Sequence, residues 1–207
     1  MPWAPLLLCG HALQNATVGV LGFGKIGQCT LKRLAGFGIK RALYLNSKPG
    51  VPLSADKDYY GLTTRGPSDV EIRPASSLDE LARESDFLLL CCALTDGTRK
   101  VVGKDFLSKM KSNAYVINTA RGAVVDSDAL VEAVSSGKIA GAGLDVVDGE
   151  PNVPADHPLV KENKIVVLPH IGSATYETRG LMAAQSVLNL LAGLEISEGE
   201  WINEVKL

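Results

Sequence analysis

The sequence predicts an α/β domain built on a doubly wound parallel sheet with helices on both faces. Three observations carry that prediction. Short apolar runs recur along the chain, at Val18–Leu21, Ala42–Leu45, Phe87–Ala93, Ala114–Ile117, Ile139–Leu144 and Ile165–Leu168, and stretches of helical character separate them. The run Phe87–Ala93 is apolar throughout rather than alternating, the mark of a strand covered on both faces. The first run leads directly into Gly22-Phe23-Gly24-Lys25-Ile26-Gly27, a Gly-x-Gly-x-x-Gly turn between a strand and a helix.

Each glycine of that turn has its own physical reason. Gly22 lets the chain turn sharply out of the strand, Gly24 has no Cβ to block an approaching pyrophosphate, and Gly27 lets the new helix pack closely on the sheet. The helix is read with Ile26, Leu31 and Leu34 on one face, and its unpaired N–H groups and positive dipole end meet the phosphates. Gly22, Gly24, Lys25, Ile26 and Gly27 are therefore candidate cofactor-binding residues of a Rossmann-type fold.

The helix closes near Gly36-Phe37-Gly38, and the second strand stops at Asn46-Ser47-Lys48-Pro49-Gly50. Residues 51–67 are polar and read as loop, with Tyr59-Tyr60 as the place for a short helix. Val70-Glu71-Ile72 alternates like a short strand. Ser76 or Ser77 then caps a helix with acid in its first turn. Further helices are expected at Lys104–Leu107, at Asp126–Ser135 (capped by Asp126 and ended at Gly137) and at Ala174–Leu194. Residues 1–16 are apolar and then loop-like, and the chain has no internal repeat.

The chain has 207 residues, a formal net charge of -2 and 46% hydrophobic residues, enough for a real core. Acid and base are nearly balanced and no Lys/Arg cluster occurs, so neither nucleic acid nor a membrane is expected as a partner. The four cysteines, Cys9, Cys29, Cys91 and Cys92, show no C-x-x-C spacing and point to a reduced, cytoplasmic protein. Pro5–Cys9 is apolar but too short for a signal segment or a membrane span. Three scattered histidines make no metal site; His11 is read as structural, and His157 as capping or packing a turn.

In an open parallel sheet the ligand lies outside the carboxyl ends of the strands. Three loops that follow apolar runs place Arg121, Glu150 and His170 there. A hydride reaching a carbonyl carbon leaves negative charge on oxygen, and an imidazole with a reference pKa of about 6.5 can supply the proton. A glutamate on the other ring nitrogen would fix the tautomer and favour the protonated form. Arginine grips a carboxylate with two parallel N–H donors, which suits a substrate whose carboxylate neighbours its carbonyl. Bland alternatives stand beside these roles: Arg121 as an anchor of its loop, and Glu150 as a surface acid before a turn.

Taken together, Gly22–Gly27, Asn118-Thr119-Ala120-Arg121-Gly122-Ala123-Val124-Val125-Asp126, Gly143-Leu144-Asp145-Val146 with Glu150-Pro151, and Leu168-Pro169-His170-Ile171-Gly172-Ser173-Ala174-Thr175 resemble the D-isomer-specific 2-hydroxyacid dehydrogenase family. The lead-in Trp3…Pro5-Leu6…Leu8-Cys9-Gly10 and the closing Leu190-Leu191-Ala192-Gly193 resemble its members that reduce glyoxylate and hydroxypyruvate. The resemblance implies that Arg121 orients a small 2-oxo acid, that His170 is the acid/base and that Glu150 is its partner. It places Asp145 and the Thr119 backbone beside the nicotinamide, Ala93 and Leu94 near the adenosine, and Gly172 and Ser173 along the cofactor, which Arg121 and His170 also meet.

Where the family's NAD users carry an acid after the second strand, this chain has Asn46-Ser47-Lys48, so NADPH is expected over NADH. The resemblance further implies a residual interdomain connection at 1–15, an NAD(P)-binding domain at 16–175 and a C-terminal helix and tail at 176–207. It implies a homodimer and a missing N-terminal substrate domain. The final helix then has an uncovered apolar face including Leu181, Leu188 and Leu191, and the chain alone has little turnover. The alternative is a non-enzymatic NAD(H)-sensing interaction protein of the corepressor type. A basic nuclear signal or a long disordered tail would favour that reading, and the sequence shows neither.

Overall fold

The six apolar runs and the alternating segment at Val70-Glu71-Ile72 become seven parallel strands. The computed structural model describes residues 4–5, 9–66 and 69–194, so the lead-in residues Trp3, Leu6 and Leu8 and the tail 195–207 lie outside the described residues. In chain order the elements are β1 (Thr17–Leu21), α1 (Lys25–Leu34), β2 (Arg41–Leu45), α2 (Leu62–Arg65), β3 (Glu71–Pro74), α3 (Leu78–Glu84) and β4 (Phe87–Leu90). They continue with α4 (Lys104–Lys109), β5 (Tyr115–Asn118), α5 (Ser127–Ser135), β6 (Gly141–Leu144), α6 (Pro158–Lys161), β7 (Ile165–Val167) and α7 (Tyr176–Gly193). The chain divides into two compact units, Met1–Pro169 and His170–Leu207, six residues earlier than the boundary expected after 175.

In the first unit the strand order is β3-β2-β1-β4-β5-β6-β7. Strand β1 pairs in parallel with both β2 and β4, so the chain reverses its direction of travel across the sheet there, and a crevice opens at the carboxyl ends of the strands. Side-chain alternation divides the core between two faces. Leu21, Leu43, Leu88, Leu90, Val116 and Leu144 pack with Leu81, Phe106, Leu107, Leu130 and Val134 of α3, α4 and α5. Val18, Val20, Ala42 and Tyr44 pack on the other face with Leu31 of α1 and with Phe23, whose ring stacks on Tyr44 at 4.3 Å. Each such full burial contributes about 1.5–3 kcal/mol before chain entropy is counted.

Local chemistry sets the helix ends. Ser77 Oγ accepts the Glu80 N–H at 3.1 Å and Asp126 accepts the Ala129 N–H at 3.2 Å, both as the sequence predicts. His157 caps α6, its Nδ1 accepting the Leu159 N–H at 3.2 Å, and His11 lies edge-on to Tyr115. At the amino ends of the strands Asp86 accepts the Thr17 N–H and the Lys111 ammonium, each at 2.8 Å.

Three expectations are corrected. Ile26 does not share a face with Leu31: five residues of helix turn through about 140°, and Ile26 is 68% exposed while Gly27, Gln28 and Leu31 are buried. Tyr59-Tyr60 form a turn and not a helix, because Asp58 captures the Leu62 and Thr63 N–H groups at 2.8 and 3.0 Å and starts α2 beyond Gly61. The runs Phe87–Ala93 and Ile139–Leu144 yield shorter strands, and Cys91–Ala93 leave the sheet at its carboxyl edge.

The second unit contributes α7, capped by Thr175 Oγ1 on the Thr178 N–H at 3.1 Å. Leu181 and Leu188 are exposed and Leu191 is half-buried. Among the described residues no helix is long and apolar enough to cross a membrane.

Candidate active site

The glycine turn is held by the protein at two of its three glycines. Gly22 sits at φ +92°, and a Cβ there would lie 2.5 Å from the Cys92 backbone, so the turn is seated directly on the chain leaving β4. At Gly27 a Cβ would collide with the Gly22 carbonyl, which is why α1 can sit down on the turn. Gly24 differs: it is exposed, has an ordinary extended backbone (φ -82°, ψ -162°), and a Cβ there would meet nothing within 4 Å. Its missing side chain leaves room above the turn, where a pyrophosphate would lie. Lys25 and Ile26 are exposed beside it, and the Lys25 ammonium stands 5.5 Å over the Tyr59 ring.

Next to the turn, burial pushes the Cys91 thiol up to about 11 and raises that of Cys92, so both stay protonated and unreactive near neutrality. Ala93 and Leu94 follow, exposed on the same edge.

Past β2 the edge opens into a groove of about 430 Å³ whose lining includes Gly24, Asn46, Ser47, Lys48, Ser54, Lys57 and Tyr59. Two ammoniums and several hydroxyls line it, and among the described residues no carboxylate does. Asn46 also ties the strand end to the turn, its Oδ1 accepting the Phe23 N–H at 2.7 Å.

The loops after β5 and β6 are built onto one another. Asn118, 1% exposed, donates from Nδ2 to the Arg121 carbonyl and accepts the Ala120 N–H at Oδ1, both at 3.0 Å. Its own carbonyl accepts the Asp145 N–H at 2.9 Å. The exposed Arg121 donates from its guanidinium to the Ala120 carbonyl at 2.7 Å, and Thr119 Oγ1 reaches the Leu90 carbonyl at 3.4 Å. A Cβ at Gly122 would overlap the Val147–Asp148 peptide, so the Arg121 turn lies backbone to backbone against the segment leading to Glu150. Glu150 Oε2 accepts the Val147 N–H at 3.3 Å.

The first unit thus brings together the glycine turn, the groove, Arg121, Asp145 and Glu150 along one sheet edge. His170, Gly172 and Ser173 belong to the second unit. His170 adopts a left-handed backbone at φ 53°, uncommon for a residue with a side chain, and the turn that follows is closed by Ala174 N–H to Ile171 O at 2.9 Å. Among the described residues no group of three His, Cys, Asp or Glu side chains is set to hold a metal ion.

Four residues that shape this edge escaped the sequence reading. Asn118 and Gly122 lie inside a motif read for Thr119 and Arg121. Gln28 follows the last glycine, and a glutamine on the buried face of a helix is the signal that would have found it. Lys57 lies in a polar stretch without periodicity, and nothing local marks it.

A parallel sheet with this turn at its reversal point and a cationic groove beyond the second strand defines a dinucleotide-binding domain of the Rossmann type. The chain belongs to the D-isomer specific 2-hydroxyacid dehydrogenase family, whose NAD binding domain matches residues 2–172. It is 44% identical over 192 residues to human glyoxylate reductase/hydroxypyruvate reductase, covering 93% of this chain and 54% of that protein. It is 40% identical over 196 residues to glyoxylate reductase of Thermofilum pendens, covering 94% and 53%. Among solved structures it resembles the NADPH-dependent glyoxylate/hydroxypyruvate reductase of Sinorhizobium meliloti in complex with NADP and malonate, with TM-score 0.76, 35% identity and coverage of 99% and 56%. A glyoxylate reductase from Paecilomyes thermophila gives TM-score 0.75 and 36% identity, covering 90% and 51%. The chain spans about half the length of these relatives.

Proposed function

We propose that this chain is the coenzyme-binding half of an NADPH-dependent reductase of small 2-oxo acids, with glyoxylate and hydroxypyruvate as substrates. The groove beyond β2 carries the reading: Lys48 and Lys57 with Ser47 and Ser54 offer a 2′-phosphate cations and hydroxyl donors, and no lining carboxylate repels it. The Sinorhizobium meliloti relative is an NADPH-dependent enzyme, which supports this reading.

When bound, the dinucleotide supplies a hydride. In this reading Arg121 holds the substrate carboxylate, His170 gives a proton to the oxygen on which charge develops, and Glu150 orients the imidazole. Asn118 and Gly122 keep the Arg121 turn in place against the Glu150 segment. The extra contacts to a 2′-phosphate are worth about 1.5–3 kcal/mol each, so NADPH should bind at least about tenfold more tightly than NADH. Nucleotide fluorescence titration measures this, with Lys48→Asp expected to narrow or reverse the preference. Equal affinities in the unmodified chain would overturn the NADPH assignment.

A further inference from the structure

Helix α1 buries a glutamine where an aliphatic residue would serve the packing. Gln28 is 0% exposed and lies between Gly27 and Leu31 on the buried face of the helix. Its side-chain amide uses both N–H bonds on backbone carbonyls: Nε2 donates to Phe23 O at 3.0 Å and to Lys57 O at 2.8 Å. The two acceptors are 34 residues apart in sequence, one in the glycine turn and the other at the end of a 3-10 turn, Ala55–Lys57. Gln28 Oε1 is buried and has no hydrogen-bond partner among the described residues. A flipped amide would set this oxygen against two carbonyls, so the acceptors fix the orientation. Leaving a buried oxygen unpaired is unfavourable, and Met or Leu would fill the same space without it. The amide is therefore explained by what it clamps and not by what it fills.

What it clamps is the groove. Phe23 and Lys57 both line it, and the segment that carries Lys57 contains no strand to hold it in place. Pinning the Lys57 carbonyl to the glycine turn fixes the backbone from which the Lys57 side chain reaches the groove that Lys48 also lines. We propose that Gln28 is a specificity-determining positioning residue: through Lys57 it sets the spacing of the two cations that recognise a ribose 2′-phosphate. This inference rests on the NADPH reading above, and Gln28 itself touches no nucleotide.

The test uses the full chain with Gln28→Met, Lys57→Gln and the double variant, and measures the dissociation constants of NADPH and NADH together with thermal stability. Loss of fold or of the glycine turn lowers both affinities alike and cancels in their ratio. Loss of the clamp should cut the NADPH/NADH preference by about three- to tenfold, mostly through NADPH. In the Lys57→Gln background the Gln28→Met change should move the ratio less than about twofold, because the two residues act through one contact. Gln28→Asn keeps a buried amide but is one methylene too short to reach both carbonyls, and it should shift the ratio in the same direction with less effect on stability. An NADPH preference in the unmodified chain that survives Gln28→Met or Gln28→Asn unchanged overturns this inference and leaves the NADPH reading standing. No preference in the unmodified chain overturns both.

Discussion

The three glycines of one motif do separable work, and single substitutions should separate them. Gly24→Ala meets no protein atom and needs no unusual backbone, so the melting temperature should stay within about 2 °C of the unmodified chain. Both nucleotides should nevertheless bind at least about tenfold more weakly, since the added methyl occupies the approach of the pyrophosphate. Gly22→Ala combines a left-handed backbone with a collision against Cys92 and should cost more than about 2 kcal/mol, a fall of several degrees. Calorimetry beside a nucleotide titration reads both outcomes, and undiminished binding by Gly24→Ala would remove the dinucleotide from this turn. At this scale the sequence was informative where a residue acts on its neighbours. The glycine pattern and the Asp126 cap were legible because they follow from residues within a few positions. The reason Gly22 must be glycine was not, since the backbone it touches lies 70 residues away at Cys92, and a separation of 29 residues hid the grip of Gln28 on Lys57.

The start of α3 shows how an element's end becomes sensitive to pH. Glu80 receives the Ser76 hydroxyl at 2.6 Å, the Ser76 N–H at 2.7 Å and Arg73 at 2.7 Å, and these hold its carboxyl at about 2 against an ordinary 4.5. The folded value is depressed, so the stabilisation is fully present above pH 4.5 and is lost as pH falls toward 2. Glu80→Gln should lower stability by about 1 kcal/mol at pH 7 and by almost nothing at pH 2. Thermal melts of both chains across that interval check it; an equal deficit at both ends would mean that packing, and not the charge, is what Glu80 supplies. This cap was readable because Ser-x-x-Glu is a local pattern. Residues 51–67, read as loop, hold the short helix α2 beyond Tyr59-Tyr60 because Asp58 takes the N–H groups of Leu62, Thr63 and Thr64, and Ile26 was put on the wrong face because a five-residue spacing does not return to the same side of a helix.

At the scale of the whole chain, the parallel sheet was legible from the order of apolar runs alone, and the candidate edge from the loops that follow them. What stayed hidden is how the loops hold each other. The relatives are nearly twice as long: the chain covers 54% of the human protein. Holding a substrate ready for attack is worth about 7–11 kcal/mol of barrier, and on the function proposed above a half-length chain would supply only part of that holding surface. NADPH oxidation with hydroxypyruvate should therefore be at least about a hundredfold slower for this chain than for a version joined to the remaining half of such a relative, with His170→Ala abolishing the faster rate. Full turnover by the short chain would show that the additional half is dispensable. The contact at Gly122 has a practical side for anyone redesigning such an enzyme. With no room for even a methyl between Gly122 and the Val147–Asp148 peptide, a chimera that imports only one of these loops from another enzyme inherits a mismatched seam, so residues 119–122 and 145–150 have to be exchanged as a single graft.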